Sequence, residues 1–117
     1  MAVIDINKNL KLMFDALQRI EIKIAALQKA NDIEDLMSAQ RSISEDFKIA
    51  NMVQSVLRSV AKANPALTQI TGVDLTIEAA LRILRPQSKS DFNAGVALVE
   101  SVREKTQKLL AVFAQRK

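Results

Sequence analysis

INKNLKLMFDALQRIEIKIAAL, residues 6–27, is the stretch that decides the fold. Within it Ile6, Leu10, Met13, Leu17, Ile20, Ile24 and Leu27 recur at steps of 4, 3, 4, 3, 4 and 3 residues. An α-helix turns once in about 3.6 residues, so this alternation stacks the apolar side chains in one stripe. The spacing predicts an amphipathic helix with its seam in a core. A heptad seam of this length also permits coiled-coil pairing between chains.

The seam fails after Leu27, where Asn31 and Glu34 would continue it. Asn31-Asp32 is therefore the expected turn, with Asn31 taking a left-handed cap and Asp32 capping the next helix. One uninterrupted helix through this point is the alternative. No Gly or Pro occurs from Met1 to Asn64, so a second long helix is expected from Ile33 towards Ala63. Its stripe is Ile43, Phe47, Ala50, Leu57 and Ala61, with Gln54 filling the gap. Ser42 and Glu45 have capping-box spacing and mark a possible restart. Asn64-Pro65 closes this helix and opens the next, because proline at the first helical position costs no hydrogen bond.

The third segment reads as short and broken at Gly72. Residues 65–70 make at most two turns, and Asp74 is placed to cap a helix carrying Ile77, Leu81 and Leu84, stopped by Pro86. Ser88, Ser90 and Asp91 offer caps for a last helix to about Gln115. Its seam is Phe92, Gly95, Val99, Val102, Thr106, Leu109 and Phe113, and the small residues around Gly95 allow a neighbouring backbone close. The expected fold is all-α: one domain over residues 1–117, an antiparallel bundle of about four segments, the first two long.

Composition agrees with that reading and removes much chemistry. The 117 residues are 49% apolar and 26% charged, with Gly 2 and Pro 2, the balance of a helical globular chain. With Cys 0 there is no disulfide, thiol nucleophile or thiolate metal site. With His 0 the commonest general base and transition-metal ligand are missing. The start of the chain meets Asp5 and Lys8 before any apolar run, which is unlike a secretory signal, and no stretch is apolar enough to span a membrane. A cytoplasmic location is expected, though signal-less export leaves no such trace.

The near-motifs for catalysis or metal binding each fit a structural role better. Asp5-Ile6-Asn7-Lys8-Asn9 copies the start of a calcium loop, but Leu10 and Ala16 stand where the loop needs Gly and Glu. Asp5 or Asn7 as a helix cap is the better reading. Glu100 and Glu104 share a face, yet Arg103 and Lys108 are spaced to pair with them. Ser59 and Lys62 have the spacing of a serine–lysine pair inside an apolar helix, a context that fits no known nucleophile. The chain is expected to be non-enzymatic, with no catalytic or metal-binding residues, no cofactor and no small-molecule ligand.

Two surfaces remain. In an up-down arrangement Lys8, Lys11, Arg58, Lys62, Lys108, Arg116 and Lys117 gather at one end, and the net charge is +4. Such an end can meet nucleic-acid phosphates. Asp32, Glu34 and Asp35 gather at the other, partly offset by Arg82, Arg85 and Lys89. The second surface is a further apolar stripe on helix 2, Ile49, Met52, Val56 and Val60, well over 90° from the Phe47 stripe, joined by Ile22 on the charged back of helix 1. A helix apolar on two sides needs two sets of partners. Either the third segment covers this stripe, or another subunit or protein does. The leading expectation is a helical interaction or assembly protein (structural subunit, adaptor or chaperone) that pairs with itself or a protein partner. A nucleic-acid-associated bundle using the basic end is the alternative.

Overall fold

The computed structural model describes residues 4–114, and of residues 76 and 77 only the backbone. Among the described residues every regular element is helical. The elements are α1 (Ile6–Gln28), α2 (Ile33–Val60), α3 (Thr68–Thr71), α4 (Leu81–Leu84) and α5 (Lys89–Ala114). A 3-10 turn, Pro65–Leu67, leads into α3, and a π-helical stretch, Leu75–Ala80, leads into α4. The five helices pack against one another: α1 lies against both α2 and α5, and α4 against α5.

α1 starts where its sequence can satisfy the first free amides. Asp5 accepts from the backbone N–H of Lys8 at 3.0 Å, and Asn9 Nδ2 returns to the Asp5 carbonyl at 2.8 Å. Asp5 is thus a helix cap. Leu10, Met13, Leu17 and Ile20 are fully buried along the expected seam, with Ile24 beside them. Ile6 and Leu27 pack at its margins. Each of these side chains contributes about 1.5–3 kcal/mol of burial, so the seam anchors the whole molecule.

The chain does turn at Asn31-Asp32, and Asp32 caps α2 by accepting from Asp35 N–H at 2.8 Å. Asn31 does not take a left-handed conformation, however, and no described residue has a positive φ. α1 closes instead by tightening. The Lys29 N–H is shared between the Ala25 and Ala26 carbonyls at 3.2 Å each, and the Ala30 N–H reaches Leu27. A shared last turn satisfies those carbonyls without a left-handed residue. α2 then runs unbroken through Ser42, so Ser42-Glu45 marks no restart. A capping box needs a non-helical residue at its head, and none is present there. α2 ends at Val60, short of Ala63, before Asn64 and Pro65 open the 3-10 turn.

The broken segment departs most from the expected pattern. Gly72 ends α3 as anticipated, but the chain resumes as a π-helix. The wider winding of a π-helix shifts the inward face by part of a turn. Leu75, Ala79, Ala80 and Ile83 are therefore the buried residues, while Leu81, expected to face inward, is exposed and Leu84 is half-buried. The side chain of Ile77 lies outside the described residues.

α5 opens with Ser88 accepting from Asp91 N–H at 3.0 Å, while Asp91 accepts from Gln87 N–H at 3.3 Å. Gly95, Val99, Val102, Thr106, Leu109 and Phe113 are buried along the expected seam. Gly95 is there for space. A Cβ built on it would stand 2.9 Å from Arg82 Cβ and 3.1 Å from the Ala79 carbonyl oxygen, closer than side-chain carbons sit. The π-to-α4 stretch can lie on α5 only because that carbon is missing.

Candidate interaction surface

The break at Gly72 frees carbonyls, and α2 supplies their partners. Gln54 is buried, and its Nε2 donates to Ile70 O at 2.8 Å and to Val73 O at 2.6 Å. Arg58 donates from Nε and Nη2 to Thr71 O at 3.3 and 3.0 Å. Further up the same helix Gln40 donates to Leu84 O at 3.3 Å. At 100° per residue these three donors fall within roughly 40° of one another on α2, which defines the side covered by the third segment. Gln54, read from sequence only as a gap in the stripe, closes the break.

The second apolar stripe stands elsewhere. Ile49, Met52, Val56 and Val60 lie roughly 120–160° around α2 from Gln54, away from the third segment. Ile49 and Val60 are half-buried against the core, Val56 is half-buried, and Met52 is 63% exposed. Ile22 projects from the back of α1 and is 66% exposed. Only the margins of the stripe, Ile49 and Val60, reach the core, and Ile22 is exposed separately on α1.

A different apolar cluster escaped sequence reasoning. Ile33, Leu36 and Met37 occupy the first turns of α2 within roughly 60° of the Gln40 direction. They continue the side that the third segment covers, but that segment stops at Leu84, where Arg85 caps α4 ahead of Pro86. The start of α2 therefore overhangs. Ile33 is 73% exposed, Met37 53%, and Leu36 is exposed as well. The signal was present in the sequence as apolar residues beside Asp32, Glu34 and Asp35. Only the third segment's end point makes them exposed.

Several charged groups hold the helices to one another. Asp46 is buried between α1 and α2, accepting from Arg19 Nε at 3.0 Å and Lys23 Nζ at 2.5 Å. Burial of a carboxylate requires such partners. Arg103, expected to pair with Glu100, donates instead to Glu21 of α1 at 2.6 Å and approaches Glu104 at 4.0 Å. A neighbour across the α1–α5 contact outcompetes one on the same exposed helix face because the half-buried position screens it less. Of the basic-end residues, Lys8, Lys11, Lys62 and Lys108 are exposed, and Arg58 is occupied by Thr71. Arg116 and Lys117 lie outside the described residues.

An open groove of about 530 Å³ runs between the end of α1 and the start of α2, lined by Lys23, Ala26, Lys29, Asp35, Ser38 and Ser42 among others. Among the described residues no three acidic side chains converge to hold a metal ion, and no helix is long and apolar enough to cross a membrane. The chain matches no family model, no curated protein and no solved structure.

Proposed function

We propose that this chain is a non-enzymatic helical interaction or assembly protein, a structural subunit, adaptor or helical chaperone, that presents an apolar helix surface to itself or to a protein partner. The helices are read as an antiparallel bundle of four segments: α1, α2, the broken third segment and α5. Two observations support that arrangement. The connection from Lys29 to Asp32 is short, and α2 meets the third segment in reverse order, Arg58 and Gln54 near its start and Gln40 at Leu84.

One observation carries the function. Ile22, Ile33, Met37 and Met52 are each more than half exposed on α1 and α2, although the core closes without them. Single exposed apolar residues are ordinary, but Ile33 and Met37 one turn apart at the start of α2, and Met52 on the second stripe of the same helix, suit surfaces that a partner covers.

Light scattering beside circular dichroism on the full chain and on Val56→Glu tests the reading. The expected result is retained helicity with an assembly reduced towards monomer. A wild type that stays monomeric, together with a Val56→Glu chain that loses its helicity, makes the stripe ordinary core and removes its role as an interface.

A further inference from the structure

We propose that the groove between the end of α1 and the start of α2 binds a small zwitterion, a molecule with a carboxylate and an ammonium at the two ends of an aliphatic body. The proposal goes beyond the assembly reading and departs from the expectation of no small-molecule ligand. A groove made where two helices meet leaves no motif in the sequence of either.

The groove follows from the residues on the line of contact between α1 and α2. Arg19 and Lys23 of α1 hold the buried Asp46 of α2, which fixes that line on both helices. Followed from there towards the connection in steps of three and four residues, the line carries Ala26 and Ala30 on the α1 side. On the α2 side it carries Ser42, then Ser38 and Ala39, then Asp35. Alanine and serine are short, so the contact that Asp46 closes is left open beyond it. The resulting groove of about 530 Å³ lies within the range of about 300–1,000 Å³ usual for small-molecule sites.

The ligand class follows from the groups left unpaired. Lys23 is engaged by Asp46. Lys29, from the α1 side, and Asp35, from the α2 side, both line the groove and are exposed. Neither side chain makes an ion pair or hydrogen bond among the described residues, and the Ser38 and Ser42 hydroxyls also have no partner there. An anion alone would meet Asp35 with like charge, and a cation alone would meet Lys29 and Lys23 in the same way. A carboxylate for Lys29 and an ammonium for Asp35 on one molecule give opposite charge at both, and the serine hydroxyls can serve either end. The alanine methyls that share the groove suit an aliphatic body.

Titration of the full chain with ε-aminocaproate, followed by the backbone amide shifts of residues 23–42, tests this. Caproate and hexylamine are the matched probes that carry one charge each. Saturable binding of ε-aminocaproate at millimolar concentration is expected, with each single-charge probe about threefold weaker or more. Lys29→Gln and Asp35→Asn, both at exposed positions, should each bring ε-aminocaproate down to the level of the single-charge probes, with circular dichroism unchanged. Ala26→Leu, also at an exposed position, fills the groove and should abolish the shifts. Absence of saturable shifts up to tens of millimolar ε-aminocaproate overturns the proposal, as does equal binding of caproate or hexylamine. Binding that survives Ala26→Leu also overturns it, because the ligand would then lie elsewhere.

Discussion

Gln54 on α2 donates its side-chain amide to the carbonyl of Ile70 at 2.8 Å, sixteen positions along the chain and across the break at Gly72. The same nitrogen serves Val73 O at 2.6 Å, so one buried polar side chain ties together both sides of the interruption. A polar residue on an apolar seam is thus what permits the third segment to break without leaving carbonyls unsatisfied.

Gln54→Leu keeps the volume and removes both donors. The Ile70 and Val73 carbonyls then lack this partner, and the expected loss of stability is about 1–3 kcal/mol by chemical denaturation. Hydrogen exchange should rise first across residues 68–80. Unchanged stability would mean that the break is held by other contacts.

Gly95→Ala should destabilise although alanine is the better helix former. Helix propensity favours the change by about 1 kcal/mol. The added carbon would meet Ile83 Cγ1 at 3.0 Å and Arg82 Cβ at 2.9 Å, neither of them the free end of a flexible chain. Overpacking of that kind costs about 1–3 kcal/mol. The thermal midpoint should fall, and Gly95→Val should lower it further. A rise in both would refute the close approach.

Asp46 should show strong non-additivity. Arg19→Ala or Lys23→Ala alone leaves the buried carboxylate with one cation and should cost about 1 kcal/mol. The double variant leaves it buried without either, at about 3–5 kcal/mol. A double-mutant cycle read by denaturant unfolding measures the difference. Simple additivity of two small losses would show that Asp46 finds water.

Leu17→Ala and Ile22→Ala separate core from surface on one helix. Leu17 is fully buried, and its truncation should cost about 2–5 kcal/mol. Ile22 lies on the opposite side, and its truncation should change monomer stability by less than about 0.5 kcal/mol.

Arg58 distinguishes a basic end from a structural clamp. Because its guanidinium is held at the Thr71 carbonyl, Arg58→Gln should lower stability by about 1 kcal/mol. Retention on a phosphate resin at low salt should not change beyond the loss of one charge. A stability like the wild type's with sharply reduced retention would instead support the nucleic-acid reading.

The sequence by itself determined the helices and most of the core. Leu10 to Ile24 on α1, Ile43 to Leu57 on α2 and Gly95 to Phe113 on α5 are buried as their spacing requires. The physical reason is local: about 3.6 residues per turn converts a 3-4 repeat into a stripe, and side chains such as Asp5, Asp32 and Ser88 satisfy nearby amides. Tertiary structure decided what periodicity does not encode. The π-helical winding that turns Ile83 inward and Leu81 outward answers to packing on α5 at Gly95, a contact between segments. Arg103 chose Glu21, 82 positions away, over Glu100 beside it because the two helices meet there. Ile33, Leu36 and Met37 lie bare only because the third segment stops at Leu84. Nothing in their own spacing marks them as surface, since exposure of one helix is set by where its neighbour ends.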